Sequence, residues 1–256
     1  MNMSAIEFHQ VYKSFNRIPI LAGMDLTIRA GETITIIGES GVGKSVTLKL
    51  IVGLLKPEAG RILIEGEDIV PLSEDRLIGI RKKIGMVFQS SALFDSLSVV
   101  ENIAYPLREH TAMSEREIHE RVKETLRLVG LEGVDDKAPV DLSGGMRKRV
   151  ALARAIALTP KIILYDEPTT GLDPTNTEKI NELIADMNRK LGVTSVVVTH
   201  DMRSAFTISD RIGLLDQGKI VVLGTPEEIQ RADRPFVRQF VSGTMAYAQN
   251  SLRLRR

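Results

Sequence analysis

The chain contains no cysteine and no tryptophan, and aromatic residues make up only 4% of it. Without thiols, disulfides and thiolate metal centres are excluded, which fits a reducing compartment. Neither sign of charge is in excess: 34 Lys and Arg face 33 Asp and Glu, a net of +1. No strong field therefore points to nucleic acid or an acidic partner. Nor does any apolar run approach the ~20 residues that span a bilayer, so a role at a membrane requires a span from another chain. The opening stretch, Met1 to Gln10, is polar, carries Glu7 and His9, and is unlike a signal peptide. What is present is an ordinary globular composition. The 256 residues are 43% hydrophobic and 26% charged, enough for a sizeable core in one or two domains.

Against that background one stretch stands out, Gly38-Glu39-Ser40-Gly41-Val42-Gly43-Lys44-Ser45. It has the phosphate-cradling spacing Gly-x-x-x-x-Gly-Lys-Ser. Before it, Glu32–Ile37 is β-branched and reads as a short buried strand; after it, Val46, Leu48, Leu50, Ile51 and Leu54 continue at helical spacing. A strand, a glycine-rich turn and a helix N-terminus gather free N–H groups and a positive dipole end around an anion. Lys44 adds a point charge, and the Ser45 hydroxyl is a suitable ligand for Mg²⁺.

The rest of the chain alternates short strands and helices. Ile6-Glu7-Phe8, Leu26-Thr27-Ile28, Arg61–Ile64 and Ile84–Phe88 read as strands, separated by turns at Arg29–Gly31, Lys56–Gly60 and Glu65–Glu67. From about 90 to 160 the pattern is helical. Ser114-Glu115-Arg116-Glu117 is a capping box, and Ile118, Val122, Leu126 and Val129 form a stripe best read as core, stopped at Gly130. A second helix runs from Ser143-Gly144-Gly145 toward Pro160. Ile162–Tyr165 and Val196–Val198 are continuous apolar runs, as in parallel strands covered on both faces. Asp173-Pro174 opens the helix between them, Asp216–Lys219 turns a hairpin, and Thr225-Pro226-Glu227-Glu228 starts a last helix. The expected architecture is an α/β core interrupted by a helical insertion, with no repeat and no low-complexity linker.

Two further groups carry chemistry. Ile162–Tyr165 ends in Asp166-Glu167, so a buried strand delivers Asp166 toward the metal beside Ser45, while Glu167 is placed to orient or deprotonate an attacking water. An acidic turn after a strand is common, and alone this pair decides nothing. Leu142-Ser143-Gly144-Gly145-Met146, leading into Arg147–Ala155, is physically a second anion site at a helix N-terminus. Lying some twenty residues before the carboxylates, it resembles the signature motif of ABC ATPases. Met146 stands where the family most often has glutamine, and Val46 where it most often has threonine.

That resemblance covers residues 5 to about 230. It implies a P-loop NTPase (RecA-like) core with an antiparallel β subdomain and a helical insertion. Residues 1–89 and 161–232 would form the core lobe, 90–160 the helical lobe and 233–256 a tail, all within one ABC ATPase domain spanning 1–256. By the same resemblance Gly38, Ser40, Gly41, Val42, Gly43, Lys44, Ser45 and Val46 bind the phosphates of ATP, and Phe15 stacks on adenine unless it is a plain core residue. Ser45, Gln89 and Asp166 hold Mg²⁺, Glu167 is the base, His200 senses the γ-phosphate, and Asp173 lies in a loop that crosses the dimer interface. Ser143, Gly144 and Gly145 act in trans, so two ATP molecules glue two head-to-tail copies and hydrolysis releases them.

Gln89–Ile103, and in particular Ser90–Asn102, is expected to form the groove for a permease. Its continuation Ala104–Thr111, and Arg234–Gly243 near the end, resemble the ATPase subunits of Mla/Mce-type lipid transporters; related amino-acid importers share parts of both. The lipid reading implies a chain on the cytoplasmic face of the inner membrane, attached through its permease, with an accessory cytoplasmic subunit and a periplasmic lipid-binding protein as further partners. In the tail, Phe236, Val237, Phe240 and Val241 precede Arg253, Arg255 and Arg256. It is either a solvated end or a docking segment. Nucleic-acid-associated ABC ATPases carry a long coiled coil or two cassettes in one chain, and neither is present here.

Overall fold

The computed structural model describes residues 4–232. The tail segments named above therefore lie outside the described residues. Two sheets organise the chain. Strands β1 (Ser4–Phe15), β2 (Ile18–Arg29), β4 (Ala59–Ile64) and β5 (Glu67–Asp68) form an antiparallel sheet in the order β2-β1-β4-β5. Strands β3 (Thr33–Ile37), β6 (Ile84–Val87), β7 (Ile162–Asp166), β8 (Thr194–Thr199), β9 (Arg211–Asp216) and β10 (Lys219–Gly224) form the other, in the order β10-β9-β3-β8-β7-β6. There β3 pairs parallel with β8 and β9, β7 pairs parallel with β6 and β8, and β10 closes an antiparallel hairpin on β9.

The continuous apolar runs become strands buried on both faces because two cores meet at this sheet. Along β7, Ile162 and Leu164 pack toward the antiparallel sheet, while Ile163 and Tyr165 pack toward the helical side. Along β8, Val196 and Val198 take the first side and Val197 the second. Period two in side-chain direction thus serves both cores at once.

Helix α1 (Lys44–Ile51) follows the glycine-rich turn, and α2 (Glu74–Arg81) precedes β6. The helical side is built from α3 (Val99–His110), α4 (Glu115–Leu128) and α5 (Gly144–Ile156). The capping box at Ser114 and Glu117 forms as read, and Ile118, Val122, Leu126 and Val129 are all buried. Each such aliphatic side chain contributes about 1.5–3 kcal/mol on leaving water. Helix α6 (Pro174–Leu191) is capped by Asp173, α7 (Met202–Ile208) by Asp201, and α8 (Pro226–Arg231) by a Thr225–Glu228 capping box. Among the described residues no helix is long and apolar enough to cross a membrane.

Some expectations need correction. The helix after the glycine-rich turn stops at Ile51: Gly53 turns at positive φ, and Leu54 is exposed. The helix from Ser143 ends at Ile156 rather than near Pro160. The first two strands are one long hairpin turning at Asn16-Arg17, both at positive φ. Helices α2, α3 and α7 had no separate signal in the reading above.

Candidate nucleotide site

The glycine-rich turn leaves β3 and enters α1 at the C-terminal edge of the parallel strands, where ligands of open α/β sheets bind. Gly43 sits at φ 117°, and a Cβ there would stand 2.9 Å from Ile20 Cγ2, so both backbone and space require glycine. A cavity of about 300 Å³ opens here, lined by Ile20, Ser40, Gly41, Gly43, Lys44, Ser45, Val46, Gln89, Glu167 and His200. Four elements far apart in the sequence thus converge: the loop before α1, the end of β6, the end of β7 and the end of β8. Ile20, on the β1–β2 hairpin, had no motif to mark it.

The Lys44 ammonium donates to the carbonyls of Gly38 (2.8 Å) and Glu39 (3.0 Å) and lies 3.8 Å from Glu167 Oε1. Burial pushes its pKa down, against the pull of Glu167 and Asp166. Ser45 Oγ donates to Asp166 Oδ1 at 2.8 Å, so the end of β7 and the start of α1 place a hydroxyl and a carboxylate side by side. Gln89 lines the same cavity as Ser45, and hydroxyl, carboxylate and amide oxygens are donors of the kind a hard divalent cation takes.

Glu167 is held unusually. Its backbone is left-handed, φ 48°, which costs a non-glycine residue about 1–2 kcal/mol. The turn buries the side chain and aims it back into the cavity. Oε2 accepts from Thr199 Oγ1 (3.1 Å) and Thr170 Oγ1 (3.2 Å), lies 2.9 Å from His200 Nδ1 and also meets the His200 N–H. Oε1 faces Lys44. One oxygen is anchored and the other is presented. His200 itself is half-exposed, with 58% of its side chain open to solvent.

The remaining candidates do not line this cavity. Phe15, at the tip of the hairpin, is 42% exposed, with Lys13 Nζ 5.3 Å from its ring centroid, so it is no core residue. Ser143 caps α5 by accepting from the Met146 N–H, and Gly145 packs so closely on Asn176 that a Cβ would stand 2.8 Å from its Oδ1. Asp173 caps α6 through the Asn176 N–H. Gly145 and Asp173 therefore meet at Asn176, and neither they nor Ser143 and Gly144 line the Lys44 cavity. A larger cavity, about 660 Å³, opens at the other end of the strands beside Glu65, Lys83, Pro160 and Leu191. It holds none of these residues, so size does not locate the chemistry.

The Ser90–Asn102 stretch contributes Ala92 and Phe94 to a groove of about 560 Å³, completed by Ile78 of α2, Tyr105 of α3 and Arg154 and Leu158 of the α5 region. Phe94 and Tyr105 are each 45% exposed, with ring centroids 5.1 Å apart. Asn102 is fully buried and fixes the rim: its Oδ1 accepts from the Phe94 N–H, and its Nδ2 donates to the carbonyls of Phe94, Leu97 and Ser98.

A glycine-rich loop on Lys44, a Ser45–Asp166 pair and an anchored Glu167 beside His200 define a nucleotide-hydrolysing cassette. The ABC transporter family model matches residues 21–170, and the chain belongs to that family as an ATP-hydrolysing subunit. It is 46% identical over 239 residues to a probable ribonucleotide transport ATP-binding protein, mkl, of Mycobacterium tuberculosis, covering 93% of this chain and 67% of that one. It is 44% identical to the intermembrane phospholipid transport system ATP-binding protein MlaF of Escherichia coli, covering 88% and 83%. With MlaF of Haemophilus influenzae it shares 42%, covering 95% and 92%. Among solved structures, a dimeric post-hydrolysis state of the cassette MJ0796 bound to ADP and Pi superposes with TM-score 0.80 at 38% identity, covering 86% of this chain and 98% of that one. Clostridium perfringens cbiO1, part of the transporter complex cbiONQ, superposes with TM-score 0.83 at 32% identity, covering 90% and 91%.

Proposed function

We propose that the chain powers the movement of phospholipids between or across envelope membranes, from the cytoplasmic face of the inner membrane. The likeness to the Haemophilus phospholipid-transport ATPase over 92% of that protein's length carries this reading. The mkl relatives, named for ribonucleotide transport, supply the competing cargo. An importer of a small polar solute such as an amino acid is the remaining alternative. The groove with its exposed Phe94–Tyr105 pair is where an integral-membrane permease docks. An accessory cytoplasmic subunit and a periplasmic lipid-binding protein complete the assembly.

The working unit is two copies, as in the dimeric MJ0796 cassette. Each is one ABC ATPase domain with a helical lobe over about 90–160. Lys44 and the N–H groups of Gly41, Gly43 and Ser45 grip the phosphates of ATP, and Phe15 stacks on the base. Ser143, Gly144 and Gly145 of the other copy close over the γ-phosphate, with Asp173 at the crossing point. Ser45, Asp166 and Gln89 would hold Mg²⁺, which when bound neutralises phosphate charge. Glu167 takes the proton of the attacking water on its presented oxygen, while His200 and the two threonines fix the other. Catalysis in this arrangement is mostly positioning around a loose transition state.

The test is reconstitution. The full-length chain is purified from solubilised membranes with whatever integral-membrane protein accompanies it, and the complex is placed in proteoliposomes. ATP-dependent transfer of a fluorescent phospholipid supports the assignment. Transport of a ribonucleotide or an amino acid without lipid transfer overturns it.

A further inference from the structure

Helix α5 does more than present Ser143–Gly145 to a partner. Its Lys148 is buried, 6% exposed, and the ammonium donates to the backbone carbonyl of Gln89 at 2.5 Å. One turn and a half further on, Arg154 donates to the carbonyls of Ala92 (2.8 Å) and Ser91 (3.1 Å). The segment so gripped is strained: Ser91 and Ala92 are both left-handed, at φ 66° and 47°. The strand leading into it is equally fixed, because Gly85 lies so close to α5 that a Cβ would stand 2.5 Å from the Ala155 carbonyl oxygen. One helix therefore dictates the course of the chain from β6 through Gln89 to the groove.

Lys148 is the costly part of this arrangement. Burial disfavours its ammonium, and the charges of Asp166 and Glu167 pull the other way. A buried ammonium is weak evidence for stability as such, although removing it alone leaves the carbonyl it serves without a donor. What the ammonium does here is hold the backbone of a residue that lines the Lys44 cavity.

We propose that Lys148 is a positioning residue for ATP hydrolysis: it locks the Gln89 backbone to α5, so that Gln89 is correctly aimed only when α5 holds this register. The helix that serves the partner's ATP at its first turn thereby also sets its own chain's half-site, and Arg154 extends the same grip to the groove. This rests on the reading of Gln89 as a site residue.

A mutant cycle on the full-length chain tests it, with K148M, Q89A and the double variant. Losing a hydrogen bond from a charged donor predicts a fall in kcat of about ten- to a hundredfold for K148M, with KM for ATP changed by less than about twofold. The melting temperature of K148M is expected to fall by only a few degrees, as for one stranded backbone carbonyl, and that of K148Q by less. Hydrogen exchange in residues 89–97 without nucleotide is expected to quicken. In the Q89A background, adding K148M is expected to cost nothing further. If K148M does not fold, the cycle is read with K148Q. Unchanged kcat in the Lys148 variant, or a loss that multiplies independently with Q89A, overturns the proposal. Unchanged kcat in Q89A alone would instead remove the site reading on which it rests.

Discussion

If Glu167 is the proposed base, Glu167→Gln should separate binding from chemistry. The side chain is buried, and its Oε2 is already committed to Thr170, Thr199 and His200. A carboxamide of the same size can keep its oxygen at that position and retain the two threonine donors. What it loses is the proton acceptor at Oε1 and the attraction to Lys44 at 3.8 Å. At an effective dielectric of about 20 that attraction is roughly 4 kcal/mol gross, and relief of carboxylate desolvation offsets most of it. Stability is therefore expected to change by only about 1 kcal/mol. Removing a positioned base costs about 10²–10⁴ in rate, or some 3–5 kcal/mol of barrier. Single-turnover hydrolysis reads the rate, calorimetry the ATP affinity. The expected result is hydrolysis slowed at least a hundredfold with affinity within about threefold of wild type. Hydrolysis within tenfold of wild type would refute the role of Glu167.

Other changes test the surrounding physics. Lys44→Ala removes the ammonium beside the phosphate cradle and should abolish tight ATP binding; unchanged calorimetric affinity would count against it. Asn102→Ala strands the Phe94 N–H and the Leu97 carbonyl at the groove rim, while the Phe94 and Ser98 carbonyls keep backbone donors, and a loss of about 1–3 kcal/mol is expected by urea unfolding. Gly85→Ala forces β6 off α5, because its Cβ would meet backbone that cannot rotate away. A cost of about 1–3 kcal/mol is expected, and a variant as stable as wild type would contradict that packing. Lys161 and Lys83 hold the Glu65 carboxyl below its ordinary range. Its stabilisation is thus present above the unfolded pKa and lost as pH falls through the lower folded value. Wild type should exceed E65Q in stability near neutrality by under about 1 kcal/mol, the group being partly exposed, with the difference gone in strong acid.

The parts of the fold legible in the sequence were those where one local rule dominates. Ile162–Tyr165 and Val196–Val198 are apolar without a break because two cores claim alternate residues. The caps at Ser114, Asp173 and Thr225 follow from side-chain oxygens that satisfy first-turn N–H groups. The missed elements carry weaker signals: Ser98 caps α3 and Asp201 caps α7, but the first helix is interrupted by a proline and the second runs for only seven residues. The β1–β2 turn uses Asn16-Arg17 at positive φ, where glycine would have announced it. Helix α2 buries only Leu77 and Ile80 around Gly79, and α3 carries Pro106 inside it. Within the site, spacing brought out Lys44, Ser45, Asp166 and Glu167. The left-handed turn that aims Glu167, the contribution of Ile20 and the reach of Lys148 to Gln89 depend on tertiary approach and leave no local pattern.

The central claim is that each copy holds half of a site and that Ser143–Gly145 completes the site of its partner. Chromatography with light scattering on E167Q, with and without ATP, measures this most directly when set beside the E167Q/S143E double variant. We expect E167Q to pass from monomer to dimer on adding ATP, and the double variant to bind ATP with similar affinity while remaining monomeric. A double variant that dimerises as readily as E167Q would contradict the shared site.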